Sequence, residues 1–332
     1  MPVPAQLRFA DLNAGLKAAG EETRLRVLAL LAEAELTVSE LTDILRQSQP
    51  RISRHLRLLA EAGLVERFRE GSWVFFRLGE HGAAAELARE LVARLDPADP
   101  TIARDRERLA AVRAARAASA QAYFRRHAAE WDRIRKLHVA DDEVEQAIVA
   151  ALTERPFRSL LDLGTGTGRM LELFGPQIER GLGLDLSLDM LALARSRLDR
   201  AGLRHCSVRQ GDLYDLALPK DSFDVVIIHQ VLHFLDDSAR AIAEAARVLR
   251  PGGRLLVVDF APHDLEFLRD EHAHRRLGFA PDTVTQWMTA AGLVLVLQRS
   301  LAPEPASEGQ IAVSLWLGRD PRILMAKARE VA

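Results

Sequence analysis

The segment LLDLGTGTGRM, residues 160–170, constrains this chain most. An apolar run of strand length breaks into glycines at alternate positions before a helical pattern begins at Arg169. Gly164 and Gly166 permit a tight turn and close approach of the backbone to a ligand, and Gly168 permits close helix packing. In open α/β sheets such turns lie at the carboxyl ends of strands, where ligands bind. The flanking sequence agrees. Ser159–Leu163, Gly181–Asp185, Phe223–Ile228 and Arg254–Phe260 read as strands, and 169–175, 187–201 and 238–250 as helices. That alternation predicts a parallel sheet with crossover helices. A dinucleotide fingerprint needs its third glycine at position 169, which is Arg169; the spacing here is G-x-G-x-G, with Asp162 just before it. Asp185 ends the next strand, where a carboxylate accepts both ribose hydroxyls. In GDLYDL, residues 211–216, Asp212 is placed to meet an adenine amino group.

In this order the segments resemble class I S-adenosylmethionine-dependent methyltransferases. LLDLGTGTG is similar to their first motif, GLGLDLS (181–187) to their ribose acid, and GDL to their adenine loop. FDVVIIHQVLHFL (223–235) and VLRPGGRLLVVDF (248–260) resemble their fourth and fifth strands. The resemblance spans about residues 120–318 and implies a Rossmann-like sheet with helices on both faces. It also implies S-adenosylmethionine as cofactor, held by Asp162, Gly164, Thr165, Gly166, Gly168, Asp185, Leu186, Met190, Asp212, Leu213 and His229. AYFRRHAAEWDRIR (122–135) resembles the helical cap of small-molecule methyltransferases; its Tyr123 and Trp131 pack over the cofactor or only within the domain.

Methyl transfer is an in-line displacement, so the protein must align the acceptor and, where needed, remove a proton. His229 and His233 follow the fourth strand, on the acceptor side of this family, and imidazole suits general-base work. They are the catalytic candidates. His263, His272 and His274 lie after the fifth strand. His272 and His274, two apart on an expected helix, point to different faces, and no metal site is expected. Arsenite methylation requires several cysteines. Amino-methylation of DNA bases requires an Asn/Asp-Pro-Pro-aromatic cluster where this chain has His229-Gln230-Val231-Leu232. Both are disfavoured, and a small-molecule acceptor is expected.

The N-terminal region carries a different pattern. Leu25, Leu28, Leu31 and Leu36 repeat at helical spacing, and Thr37 with Glu40 forms a capping-box signature opening the helix Val38–Leu45. A polar turn follows, and a second helix starts near Ser48 with Pro50 in its first turn. Ile52, Leu56 and Leu59 face the core, and Arg51, Arg54 and His55 project away. Leu64–Phe68 and Trp73–Leu78 read as a hairpin about Gly71-Ser72. Such a second helix suits the major groove, where Arg pairs with guanine and Gln with adenine. Ser48, Gln49, Arg51, Ser53, Arg54 and His55 are its DNA-binding candidates. Arg67, Arg69 and Arg77 on the hairpin are expected along the phosphates. LTVSELTDILRQSQPRISRHLRLLAEAGLVERFREGSWVFFRL resembles the winged-helix core of ArsR-type bacterial repressors, over about residues 8–95. That implies a homodimer on a double-stranded operator. Metalloid sensors of that family carry cysteines on the first helix of the motif. This chain has Thr37 and Ser39 there, and its one cysteine is Cys206, so thiolate sensing at that place is chemically unavailable.

Charge supports the division. The net charge is −2 over 332 residues, yet Arg46, Arg51, Arg54, Arg57, Arg67, Arg69 and Arg77 face only Glu61, Glu66 and Glu70 within 46–77. No apolar run approaches the roughly 20 residues that span a bilayer, and no signal pattern is read at the N-terminus. A cytoplasmic protein without membrane segments is expected. DPADPT (96–101) breaks the chain, and the Ala/Arg-rich stretch that follows is expected to be helical and water-facing. The expected organisation is multidomain, α+β then α/β: a winged helix-turn-helix over 1–95, a linker over 96–120, and a methyltransferase domain with its helical cap over 121–320. Two functions follow. In one, a DNA-binding regulator carries an enzyme that methylates a small molecule. In the other, the second domain is a catalytically idle receptor, and S-adenosylmethionine or S-adenosylhomocysteine modulates DNA affinity.

Overall fold

The N-terminal elements start and stop where side-chain chemistry dictates. In the computed structural model, which describes residues 6–70, 73–79, 82–127, 141–302 and 311–322, α1 (Phe9–Ala19) leads into α2 (Glu22–Leu31), whose first turn is capped by Glu21 accepting the Arg24 N–H. The short β1 (Leu36–Thr37) precedes α3 (Val38–Leu45). Thr37 Oγ1 accepts the Glu40 N–H at 3.3 Å, and Glu40 Oε2 accepts the Thr37 N–H at 2.9 Å, which is the expected capping box. Arg46, with φ of 55°, turns the chain out of α3 into α4 (Gln49–Glu61). β2 (Val65–Glu70) and β3 (Trp73–Leu78) form the hairpin, its first strand starting one residue later and running two residues further than expected, and β1 pairs with β3 to complete a three-stranded sheet. The hairpin turn Gly71-Ser72 lies outside the described residues. α5 (Ala83–Ala93) closes this part.

The stretch expected as a water-facing linker is corrected by the structure. α6 (Pro100–His127) begins inside the first of two units, Met1–Ala118 and Ser119–Ala332. Leu109 is 1% exposed in the core of α2, α3 and α4, and Ile102 is buried as well. Three of its described arginines have partners on the winged-helix core. Arg106 pairs with Glu33, Arg108 donates to the Ile44 carbonyl at 3.0 Å, and Arg113 donates to the Glu33 carbonyl. Asp105, which is buried, takes both arms of Arg26 at 2.7 and 2.8 Å. Composition could not reveal this, because Ala/Arg-rich helices look alike whether their arginines meet water or carbonyls.

The second unit is built on the predicted parallel sheet. α7 (Asp141–Thr153) precedes β4 (Ser159–Leu163), α8 (Arg169–Phe174), β5 (Arg180–Asp185), α9 (Leu188–Arg200), β6 (Cys206–Gln210) and β7 (Phe223–His229). Then follow α10 (Ser238–Arg247), β8 (Leu249–Phe260), α11 (Phe267–His272), α12 (Pro281–Ala290), β9 (Val294–Leu301) and β10 (Val313–Arg319). The strand order is β6-β5-β4-β7-β8-β10-β9, parallel from β6 to β8, with β10 antiparallel to both neighbours. Alternation along the central strands divides the core in two. Leu160, Val225, Leu256 and Val258 pack with α7, α8 and α9; Leu161, Val226, Leu255 and Val257 pack with α10 and α12. Helices therefore cover both faces. β8 starts earlier than expected and α10 ends at Arg247, because Pro251-Gly252-Gly253 sits within the strand rather than ahead of it.

Asp105→Ala should destabilise the first unit by about 2–3 kcal/mol, because it leaves the Arg26 guanidinium without its bidentate partner in a largely buried position. Urea unfolding followed by circular dichroism checks this; an unchanged midpoint would show that α6 does not stabilise the unit.

Candidate functional site

The glycine turn after β4 is held against the end of β5. Gly164 and Thr165 both donate their N–H to the Leu184 carbonyl, at 2.8 and 2.9 Å. Gly164, Gly166 and Gly168 all have positive φ, and a Cβ on Gly164 would stand 2.4 Å from Val231 Cγ2. Glycine is thus required where the turn meets the segment after β7. Asp162 is buried, and its Oδ2 accepts the Thr165 hydroxyl at 2.6 Å. It orders the turn from within. Arg169, at the position that excluded a dinucleotide fingerprint, ties α8 to α7 through two bonds to Glu145 at 2.6 and 2.7 Å.

Asp185 is the hub of this end of the sheet. Its Oδ2 accepts the Gly166 N–H at 2.9 Å and its Oδ1 the Ser187 N–H at 2.8 Å. Burial pushes its pKa up, opposed by those N–H bonds to the anion. Each carboxylate oxygen accepts one of these two bonds and has a further lone pair, so a pair of hydroxyls can be accepted as well. The Gly211 N–H donates to the Asp185 carbonyl at 3.1 Å, and Gln210 donates to the Leu186 carbonyl at 3.0 Å. These bonds bring the loop of Asp212 and Leu213 beside Asp185. Asp212 is exposed and Leu213 buried. Met190 is buried in the first turn of α9, which Ser187 caps, while Leu186 is 39% exposed. The glycine turn, Asp185, Leu186, Met190, Asp212 and Leu213 thus lie at the carboxyl ends of three adjacent strands.

At the end of β7, His229 is buried and Gln230 takes a left-handed φ of 54° while donating its N–H to Val258. His233 follows in a short 3-10 turn. Its Nδ1 lies 2.7 Å from Oδ1 of Asp259, near the end of β8, and both side chains are almost fully buried. The segment between β8 and α12 folds back over this pair. Arg275 and Arg276 donate their backbone N–H to the His233 carbonyl, and the His274 ring centroid lies 4.3 Å from that of His233. His274 was expected on the same helix as His272. That helix ends at His272, and Ala273, left-handed at φ 58°, turns His274 inward against Phe260. Burial and then the neighbouring His233 push the pKa of His274 far down and that of His263 to about 4. Asp259 went unnoticed in the sequence, where LLVVDF reads only as a strand with a polar end. The side chain of Tyr123 and all of Trp131 lie outside the described residues.

In the first unit, Ser48, Gln49, Arg51, Ser53 and Arg54 form an exposed N-terminal edge of α4. His55 does not join them. It is buried, with Nδ1 3.7 Å from Glu21 Oε2, and burial lowers its pKa. The reason is spacing: position 55 shares the stripe of Ile52, Leu56 and Leu59. Arg67 and Arg69 are exposed on β2, but Arg77, expected along phosphates, pairs with Glu66 at 3.0 Å and Glu35 at 3.8 Å and lies over Phe68.

Residues 21–67 match the model of the bacterial regulatory protein arsR family, and residues 161–257 that of a methyltransferase domain. The chain joins an ArsR-type helix-turn-helix to a class I methyltransferase domain. The methyltransferase domain resembles an uncharacterized methyltransferase, YcgJ, of Bacillus subtilis, with 35% identity over 32% of this chain and 42% of the relative. It also resembles a demethylmenaquinone methyltransferase of Thermus thermophilus, with 38% identity over 35% of this chain and 53% of the relative. The chain thus spans about half or less of the length of these relatives. In fold it resembles a solved S-adenosylmethionine-dependent methyltransferase of Thermotoga maritima, with a TM-score of 0.50 and 23% identity over 60% of this chain and 99% of that one. The cofactor of the methyltransferase domain is S-adenosylmethionine, and the remaining lone pairs of the Asp185 carboxylate fit a molecule that carries a pair of hydroxyls.

Because His263 stays neutral in the folded protein, the unfolded chain binds more protons between about pH 6.5 and about pH 4. The stability it contributes is complete above that window and is lost as pH falls through it. Thermal melting of the full chain should decline across this range, and His263→Gln should flatten part of the slope; identical slopes would contradict the burial of this ring.

Proposed function

We propose that the chain is a DNA-binding transcriptional regulator whose second domain binds S-adenosylmethionine and methylates a small molecule in the cytoplasm. The observation that carries the cofactor reading is the junction of the Gly166 N–H, the Asp185 carboxylate and the Gly211 loop at one end of the sheet. Asp185 holds the ribose, the glycine turn lets the amino-acid portion approach the backbone, and Asp212 meets the adenine. Bound there, S-adenosylmethionine supplies an electrophilic methyl group. His229 lines the cofactor and acceptor side, and His233 acts as the proton-accepting base. The organisation is a winged-helix module over 1–95, α6 docked on it through its first turns, and a cofactor domain over 121–320.

On DNA, α4 enters the major groove with Gln49, Arg51 and Arg54 at base edges, Ser48 and Ser53 beside them, and Arg69 along the phosphates. A homodimer is supported by the apolar stripe on α1, where Phe9, Leu12 and Leu16 are exposed at 86%, 38% and 47%. A receptor reading, in which the cofactor or its demethylated product tunes DNA affinity, is supported by one observation. α6 starts on the winged-helix core, touching the Ile44 carbonyl just before the turn into α4, and the boundary between the units falls inside it.

Calorimetry tests the cofactor site. Asp185→Ala should weaken S-adenosylmethionine binding by about 10–100-fold, the equivalent of about 1.5–3 kcal/mol for charge-assisted bonds; unchanged affinity would remove Asp185 from the site. Footprinting at the chain's own promoter tests the DNA face. Arg54→Ala should relax base preference at one position, whereas Arg69→Ala should weaken all sequences alike. Loss of neither would move the DNA-binding surface elsewhere.

A further inference from the structure

The buried pair beneath the segment between β8 and α12 is more specific than a base placed by sequence. Oδ1 of Asp259 receives two donors, the Phe260 N–H at 2.8 Å and Nδ1 of His233 at 2.7 Å. A backbone N–H has no alternative role, so this oxygen is fixed as an acceptor and Nδ1 must carry the ring proton. That leaves the lone pair on Nε2, for which the described residues provide no hydrogen-bond partner. The ring has little freedom to turn. Phe234, His274 and Phe260 stand 4.0, 4.3 and 4.6 Å from it, centroid to centroid, and its own carbonyl is held by the N–H groups of Arg275 and Arg276. Asp259 lies beside it, while burial keeps the nearby rings of His263 and His274 neutral. The guanidinium of Arg275 is turned to Asp236 at 2.5 Å.

We propose that Asp259 is the positioning residue of the methyl transfer: it fixes His233 as the Nδ1–H tautomer and presents Nε2 as the base that takes the acceptor's proton. This rests on the methyltransferase reading above and narrows it to acceptors that must lose a proton, such as a hydroxyl or a protonated amine. The acceptor's proton moves to Nε2 of His233, before attack for a protonated amine and as attack proceeds for a hydroxyl, while the bond from acceptor to methyl forms and the bond from methyl to sulfur breaks. The sulfonium becomes a neutral thioether, and the imidazolium is paired with the Asp259 carboxylate until it returns the proton to water. Thioethers and tertiary amines, which bring no proton, make no use of this pair.

The full chain, labelled with 15N-histidine and saturated with S-adenosylhomocysteine, provides the test. Long-range 15N–1H spectra should show His233 protonated at Nδ1, and diethyl pyrocarbonate should carbethoxylate its Nε2, located by mass spectrometry. Asp259→Asn, which keeps an oxygen at the Oδ1 position, should retain that tautomer. Asp259→Leu should shift it towards Nε2–H and lower the labelling severalfold, with cofactor affinity preserved. A proton on Nε2 in the wild-type chain, or no labelling of His233 there while exposed histidines react, would overturn the proposal even if Asp259→Leu fails to fold. Failure to bind S-adenosylhomocysteine at all would instead overturn the methyltransferase reading on which the proposal stands.

Discussion

The bond from the Gly166 N–H to the Asp185 carboxylate holds together the parts on which a cofactor site depends. It joins the turn after one strand to the end of the next, and the Gly211 N–H on the Asp185 carbonyl adds the third. A buried carboxylate is costly unless its charge meets hydrogen-bond donors. Here the donors are backbone groups of the glycine turn and of Ser187, which opens α9. In the proposed site, the acid assigned to the ribose therefore also shapes the loop assigned to the rest of the molecule. Glycine at 164 is demanded from the other side, where Val231 leaves no room for a side chain.

A second centre lies at the ends of β7 and β8. There His233 and Asp259 are buried beneath a segment that carries the half-buried His263 and His274 and is tied back by its own backbone bonds to His233. Neutral, buried histidines contribute to stability only while they remain neutral. The DNA-binding unit solves a different problem. It enlarges a small core by recruiting the start of α6, and it joins that helix to its own framework through Arg26 and Asp105.

Much of this was legible in the sequence, and the exceptions have physical reasons. The capping box at Thr37, the central strands and the glycine turn follow from local rules, and each appears within a few residues of its expected place. The edge strands β6 and β9, and β10 between β8 and β9, were missed. CSVRQ alternates weakly, whereas 294–297 in β9 and VSLWL in β10 are apolar runs that the sequence displays and that were not read as strands. Arg77 and the arginines of α6 were misread because sequence reports a charge but not its partner. His55 was misread although its helical spacing from Ile52 and Leu59 was visible; a polar ring in an apolar stripe was credited to its chemistry rather than to its position. Asp259 was invisible because its partner, His233, lies 26 residues away and on another strand's loop.

The most direct measurement is a crystal structure of the full chain with S-adenosylhomocysteine. The expected density places both ribose hydroxyls on the Asp185 carboxylate, the adenine at the loop of Asp212, and the amino-acid portion over the glycine turn towards His229. Ligand density at any other part of the sheet, or an Asp185 carboxylate whose only partners remain Gly166 and Ser187 in the saturated crystal, would contradict this assignment of the site.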